Sequence, residues 1–534
     1  MSYPRRVHTL IVDDDPIAQT NYRHLFETLG RTYDLAPPCI VPSYADAQEC
    51  LASSDPFHLV IVDLQLPMAA REAPEQGTSP GLALIKQAAE RDHLPVPALL
   101  VISGQLRDTQ YKLQDQLRRD FWYGRAVNKS VDEDEAVPEA LNQCLRYNDV
   151  GIHMETDEKE DTYPPLSPRE EDLLRRCVLE QSECLGVNLS WWSAERQTGD
   201  RRPWTKVLQG RFLLDSGQGQ SRPVFFKFTP AEYAELMHSE SLLMSRKLGH
   251  IKVVYHLIGR HRALLATEKV GEGNERPTSL VSFLQRKDEA VTASVPDVVG
   301  DLVTQLAFLG GRVTPTQKPR SELLSRFLDR TRIAAAWERF GDQLARTNGD
   351  NPLDLFDSLV TDKELVWVDV QNCTHGDLNV TNVALDEGPH GIRGYIFDAS
   401  GMGAAPTLRD LAALEVTSLL HQPLASDETG VATESLVARC SVVYETFVPC
   451  SHQSENPDYV AANTIALIAT IRTGIIERRD LSIYALLVFD QALIQLSGLT
   501  YSLSGNKISV PEEAARLAAR VAQWARKTSL ENTA

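Results

Sequence analysis

The chain has 534 residues, too many for one hydrophobic core, so more than one domain is expected. Its hydrophobic content of 43% is that of a globular protein. Lys and Arg number 54 against 73 Asp and Glu, a net charge of -19 that excludes a generally cationic surface and, with it, nonspecific binding to nucleic acid or anionic membranes.

Val7 to Val12 reads as a short buried strand that stops at Asp13-Asp14-Asp15, and Leu59 to Val62 repeats the pattern before Asp63. Continuous apolar runs of this length are strands of a parallel sheet covered on both faces. Ala98 to Ile102 ends in Ser103-Gly104, and a fourth candidate strand ends at Val127-Asn128 and delivers Lys129. Strand ends along one edge of such a sheet form the crevice where ligands bind, so Asp13, Asp14 and Asp63 are expected to converge on an oxygen-rich magnesium site.

This set resembles the receiver domain of two-component response regulators over residues 1–150. The resemblance implies an α/β, doubly wound parallel-sheet domain. It also implies that Asp63 accepts a phosphoryl group from a sensor histidine kinase, that Asp13, Asp14 and Asp63 hold magnesium, and that Ser103 and Lys129 contact the phosphoryl oxygens. A homodimer through the receiver is a candidate assembly. Three departures stand out. The loop from Met68 to Pro80 is long, Ser130 follows Lys129 where receivers usually have proline, and Ala126 stands where many have a switching aromatic. Tyr123 and Trp122 are candidate substitutes.

Residues 151–168 have linker composition, acidic and closed by Pro164-Pro165. Leu166 to Glu171 looks like the opening of a helix-turn-helix domain, but Ser167-Pro168 followed by acids is also an ordinary helix start. Trp191-Trp192 and the strand-like run from Val207 to Leu214 do not continue as three short helices, so DNA binding is not expected. Pro223 to Phe228 then reads as a buried strand carrying one lysine, Lys227, which needs anionic company. Glu240, in the helical stretch from Ala234 to Leu243, is one candidate partner and Glu235 another.

From Pro277 onward the pattern is mainly helical, interrupted by His375-Gly376-Asp377-Leu378-Asn379-Val380-Thr381-Asn382 and by Tyr395-Ile396-Phe397-Asp398. Phosphoryl transfer needs a carboxylate to orient the attacking hydroxyl and ligands for the metal that neutralises phosphate charge. Asp377, Asn382 and Asp398 fit those roles. The segment, with Gly401-Met402-Gly403 and Arg409-Asp410-Leu411-Ala412 after it, looks like the catalytic region of the aminoglycoside phosphotransferase and choline kinase group. That resemblance implies a two-lobed α+β protein-kinase-like domain, with the N-lobe over 169–275 and a helical C-lobe over 276–534. By it, ATP and Mg2+ are cofactors, and Asp377 is the catalytic base. Asn382 and Asp398 hold magnesium, Lys227 and Glu240 serve the nucleotide, and His375 and Asp410 brace the loop. Leu264 to Gly271 resembles the strand and hinge that hold adenine. No Gly-x-Gly-x-x-Gly precedes Lys227; Thr198-Gly199-Asp200 and Asp215 to Gly219 are the nearest glycine turns.

The eight cysteines lack a Cys-x-x-Cys pair and read as reduced small hydrophobes. His250, His256 and His261 lack metal-ligand spacing. No secretory or membrane-spanning run is evident, and a cytoplasmic location is expected. The reading is a response regulator with a phosphotransferase output acting on an unidentified small-molecule or protein hydroxyl. The rival is a kinase-fold scaffold that binds a partner or nucleotide without turnover.

Overall fold

The computed structural model describes residues 6–52, 56–69, 80–89, 97–104, 124–129, 133–155, 164–181, 184–196, 205–214, 223–258, 262–269, 277–326, 328–344, 350–388, 391–398, 402–420, 425–426, 432–434, 436–444, 459–474, 476, 480–497, 501–503 and 510–531. Tyr123, Trp122 and Ser130, most of the loop after Met68, both glycine turns before Lys227, His261 and Gly401 lie outside the described residues.

The first domain alternates strand and helix: β1 (Thr9–Val12), α1 (Pro16–Leu29), β2 (Cys39–Val41), α2 (Tyr44–Ala52), β3 (Leu59–Val62), α3 (Pro80–Ala89), β4 (Ala98–Ser103), β5 (Gly124–Asn128) and α4 (Glu133–Asp149). The strands form one parallel sheet in the order β2-β1-β3-β4-β5. Alternate residues of the same strands feed two different cores. Ile11, Leu59, Ile61 and Leu100 pack with Tyr22, Phe26, Leu141 and Leu145, while Leu10, Val12, Val60 and Val101 pack with Ala47, Leu51, Leu84 and Ile85. Burial on both faces is why these strands read as unbroken apolar runs.

The second domain begins sooner than the composition suggests. Residues 151–154, expected as linker, form β6 (Gly151–Met154), which pairs in parallel with β7 (Cys184–Arg196) from Gly151 opposite Gly186 to Met154 opposite Leu189. Four residues are too few for a periodic signal, and β6 becomes a strand only because the edge of β7 receives it. α5 (Pro168–Glu180) is capped by Ser167 in a capping box with Glu170. The buried Glu170 carboxylate also binds Lys206 at 2.6 Å and the Arg262 guanidinium, fastening the helix to the sheet behind it. That sheet runs β10 (Ile251–Ile258), β11 (Arg262–Lys269), β9 (Val224–Pro230), β8 (Thr205–Leu214), β7, and α6 (Ala234–Leu248) follows β9 in the chain. The short strand Tyr501–Leu503 adds to β7 from the far end of the chain, a pairing that the helical pattern there does not announce.

The lower lobe is built on helices, among them Glu289–Gly310, Arg409–Leu420, Tyr459–Gly474, Leu481–Leu496 and Val510–Arg526. Two small sheets carry the segment from His375 to Asp398 between them, one of them formed by Val313–Pro319, Leu365–Thr374 and Gly403–Pro406. Arg472 and Glu415, both fully buried, pair at 2.6 Å near the centre of the helices. Tyr484 donates to Glu415 at 2.8 Å, Arg472 donates to the Val443 carbonyl at 2.6 Å, and its guanidinium lies 4.4 Å from the Trp524 ring. Removing one partner of such a pair strands the other charge. Glu415→Gln is therefore expected to cost about 3–5 kcal/mol, seen as a lower urea midpoint for the lower lobe by tryptophan fluorescence.

Candidate functional site

Two sites lie at strand ends, one in each domain. In the first, Asp13 follows β1, Asp63 follows β3 and Lys129 follows β5, so the parallel sheet brings all three to one edge. The Lys129 ammonium donates to Asp13 Oδ2 at 2.9 Å and to Asp63 Oδ2 at 2.7 Å. Burial alone would lower the Lys129 pKa, but the bonds and charges of the two aspartates overcome it and hold it above its ordinary value. Burial raises the Asp13 carboxyl above its ordinary value, opposed by Lys129.

Asp13, Asp14 and Asp63 each offer an oxygen within 4.8 Å of the others, the one such group among the described residues. Three carboxylates at that spacing suit a hard cation such as Mg2+. Asp15 does a different job: its side chain accepts from the Ile17 N–H and caps α1. Ser103, at the end of β4, is 1% exposed with its hydroxyl unpartnered. Its carbonyl accepts from the Lys129 N–H at 3.3 Å, which seats the two residues side by side. Gly81 is dictated by packing, since a Cβ there would lie 2.3 Å from the Asp63 carbonyl oxygen.

The second site lies between the lobes of the kinase-like domain. Asn382 Nδ2 donates to the Asp377 carbonyl at 2.8 Å, and Asn379 Oδ1 accepts from the N–H groups of Thr381 and Asn382 at 2.9 and 3.2 Å. Asn379, a residue that the sequence reading passes over, thus folds the loop into the turn that presents Asp377; an asparagine two residues before a Thr-Asn pair is a legible turn signal. Asp410, fully buried, accepts the His375 N–H at 2.8 Å and the Gly376 N–H at 3.0 Å. Burial raises its pKa above the ordinary value, offset in part by His375 and those two N–H donors. The His375 ring reaches the Phe397 carbonyl at 3.1 Å, so the loop is tied to the residue before Asp398.

Asp398 has φ of 61°, alone among the described non-glycine residues in the left-handed region. Backbone of that kind persists where its surroundings impose it. Its side chain pairs with Lys227 across the cleft. The lysine is thus seated on Asp398, while Glu240 Oε1 accepts the Met402 N–H at 2.9 Å. A strand lysine facing the lower lobe reaches the strand-end acid, and Glu240 fastens the lower loop to α6. Asp377, Asn382, Asp398 and Lys227 are brought to one cleft. The oxygens of Asp398 and Asn382 suit a divalent cation, and Lys227 suits phosphate oxygens.

The chain is thus a receiver-like α/β domain joined to a kinase-like two-lobed domain. No family model and no curated protein matches it. Among solved structures it is similar to a response regulator receiver domain from Methylobacillus flagellatus, 24% identical, with a TM-score of 0.20, covering 26% of this chain and 99% of that one. It is also similar to an aminoglycoside-3'-phosphotransferase of type VIII, 18% identical, with a TM-score of 0.29, over 60% of this chain and 98% of that one. A putative aminoglycoside phosphotransferase from Ralstonia eutropha is 12% identical, with a TM-score of 0.32, over 62% and 95%. Among the described residues no helix is long and apolar enough to cross a membrane.

Loss of one hard ligand from the acidic group of the first domain should weaken the cation there. Asp14→Ala is expected to lower Mg2+ affinity by about tenfold or more, measured by calorimetric titration of Mg2+ without nucleotide. Unchanged affinity would remove these acids from metal binding.

Proposed function

We propose that the chain is a response regulator in which Asp63 accepts a phosphoryl group from a sensor histidine kinase, and the kinase-like domain is the output that transfers phosphoryl from Mg-ATP to a hydroxyl acceptor. The observation that carries the second half is the meeting of Lys227, Asp377, Asn382 and Asp398 in one cleft, with Asp410 and Asn379 supporting the loop between them. A structural role alone does not require a strained Asp398 facing a lysine of the other lobe.

The division of labour follows from position. Asp377 is half-buried on the loop, placed to orient an acceptor hydroxyl and take its proton. Asn382 and Asp398 would hold magnesium, whose charge neutralises phosphate oxygens when bound. In the receiver, Lys129 sits on Asp63 and is placed to meet the charge of an incoming phosphoryl group, and the buried Ser103 hydroxyl is a donor in waiting beside it. The acceptor class is a small molecule or a protein hydroxyl, the setting is cytoplasmic, and dimerisation runs through the receiver.

A second reading, a binding scaffold without turnover, is favoured by one observation: the cleft beside Lys227 and Asp398 is narrow and lined mainly by apolar side chains.

Radiolabelled acetyl phosphate tests the receiver. Label is expected on the wild-type chain and not on Asp63→Asn, whose amide keeps the shape but forms no acyl phosphate; label mapped to another residue would remove Asp63 from the role. For the output domain, Asp377→Asn is expected to lower phosphoryl transfer by about a hundredfold with nucleotide affinity retained, whereas Asp398→Asn lowers affinity as well. Equal turnover by wild type and both variants would remove Asp377 and Asp398 from their catalytic roles, and no turnover by wild type over a panel of hydroxyl acceptors, with no magnesium-dependent nucleotide binding, would favour the scaffold.

A further inference from the structure

Three aromatic rings fill the space between the lobes where the cleft meets Lys227 and Asp398. Phe225 of β9 and Phe397 stack with centroids 4.5 Å apart and planes 19° from parallel. Trp192 of β7 stands edge-on to both, 5.0 Å from Phe225 and 5.3 Å from Phe397. Its indole N–H donates to the Thr381 carbonyl at 2.7 Å. Trp192 and Phe225 belong to the upper sheet, Phe397 and Thr381 to the lower lobe, so the cluster joins roof to floor.

The consequence is steric. A nucleotide has a flat base that seeks an apolar slot and phosphates that seek cations. Beside Lys227 and Asp398 the apolar lining is Val207, Phe225, Met244, Ile251, Leu265 and Phe397, and the cavity left among them is about 20 Å³. That is room for about one water molecule. Two rings in face-to-face contact leave no gap for a third between them. The phosphate end is closed as well, because Lys227 is already on Asp398.

We propose that Trp192, Phe225 and Phe397 form a gate on the nucleotide site, with Phe225 the residue that sets access: the base enters only when the Phe225 and Phe397 rings part. The proposal rests on reading this cleft as the phosphotransferase site. β9 alternates, so Phe225 points to the same face as Lys227, and a small side chain at 225 would leave the slot open above Phe397 while the strand keeps its register. Trp192 holds the gate shut from the side. Its bond to Thr381 engages the turn whose next residue is Asn382, so gate and metal-binding turn move together.

Calorimetric titration of Mg-ATP into the full chain tests this. Phe225→Ala and Trp192→Leu act on the cluster from different strands, and each is checked by far-ultraviolet circular dichroism and elution volume. Both are expected to bind Mg-ATP about tenfold or more tightly than wild type, and adding Asp398→Asn to Phe225→Ala should abolish the gain, placing the nucleotide in this cleft. Equal binding by wild type and both variants overturns the gate and leaves the phosphotransferase reading standing. No binding by wild type or by either folded variant overturns both.

Discussion

The ion pair between Lys227 and Asp398 determines how the two halves of the second domain meet. Each residue is mostly buried, so each charge would be costly without the other. The lysine is fixed by a strand in the middle of the upper sheet, and its register leaves no freedom to move along the cleft. The aspartate therefore has to come to it, and the positive φ at Asp398 is how the backbone turns that side chain upward. Such a residue needs support, and the support is continuous: Phe397 is held through its carbonyl by His375, whose own N–H is held by Asp410. A buried acid on the helix Arg409–Leu420 thus stabilises the conformation of an aspartate that it does not touch in these contacts. Where pH rises, ionisation of Asp410 is opposed by burial and favoured by its two N–H donors, so the N–H bonds are what make a charged carboxylate tolerable there.

Much of this was legible in the sequence because it is local. Buried strands ending abruptly in acid are visible as runs, and strands that read that way belong to a parallel sheet whose ends share an edge, so Asp13, Asp14 and Asp63 could be placed together before any contact was known, with Lys129 added by the resemblance to receivers. The loop from His375 to Asn382 is likewise a single short segment whose spacing is its geometry. What was not legible is what depends on residues far apart. Lys227 and Asp398 are separated by 171 positions; the resemblance assigns both to one nucleotide site, but nothing in either neighbourhood announces that they pair with each other. β6 has too few residues to show a period and takes its form from β7. Trp192 was visible only as an argument against three short helices, and Phe225 only as one more apolar residue of a strand; that they meet Phe397 is a property of the closed cleft.

The connection between the domains is the remaining constraint. The last helix of the receiver-like domain, α4, ends at Asp149, and β6 begins at Gly151, so one residue, Val150, separates a helix of the first domain from a strand of the kinase-like sheet. Around that residue the contacts are specific. Arg175 of α5 donates to the Val150 carbonyl at 2.7 Å, Tyr147 of α4 donates to the Asp172 carbonyl at 3.2 Å, and Asn148 donates to the His58 carbonyl at the start of β3. The acidic stretch expected as a flexible spacer comes only afterwards, between β6 and α5, where it joins two elements of the same domain. Between α4 and β6 there is therefore no spacer beyond Val150. β6 in turn pairs with β7 from Gly186 to Leu189, three residues before Trp192. The register of β7 against β8 slips between Trp191 and Ser193, so the ladder is locally interrupted at the tryptophan itself. The irregularity thus falls at the ring that leans on the floor of the cleft through Thr381 and Phe397.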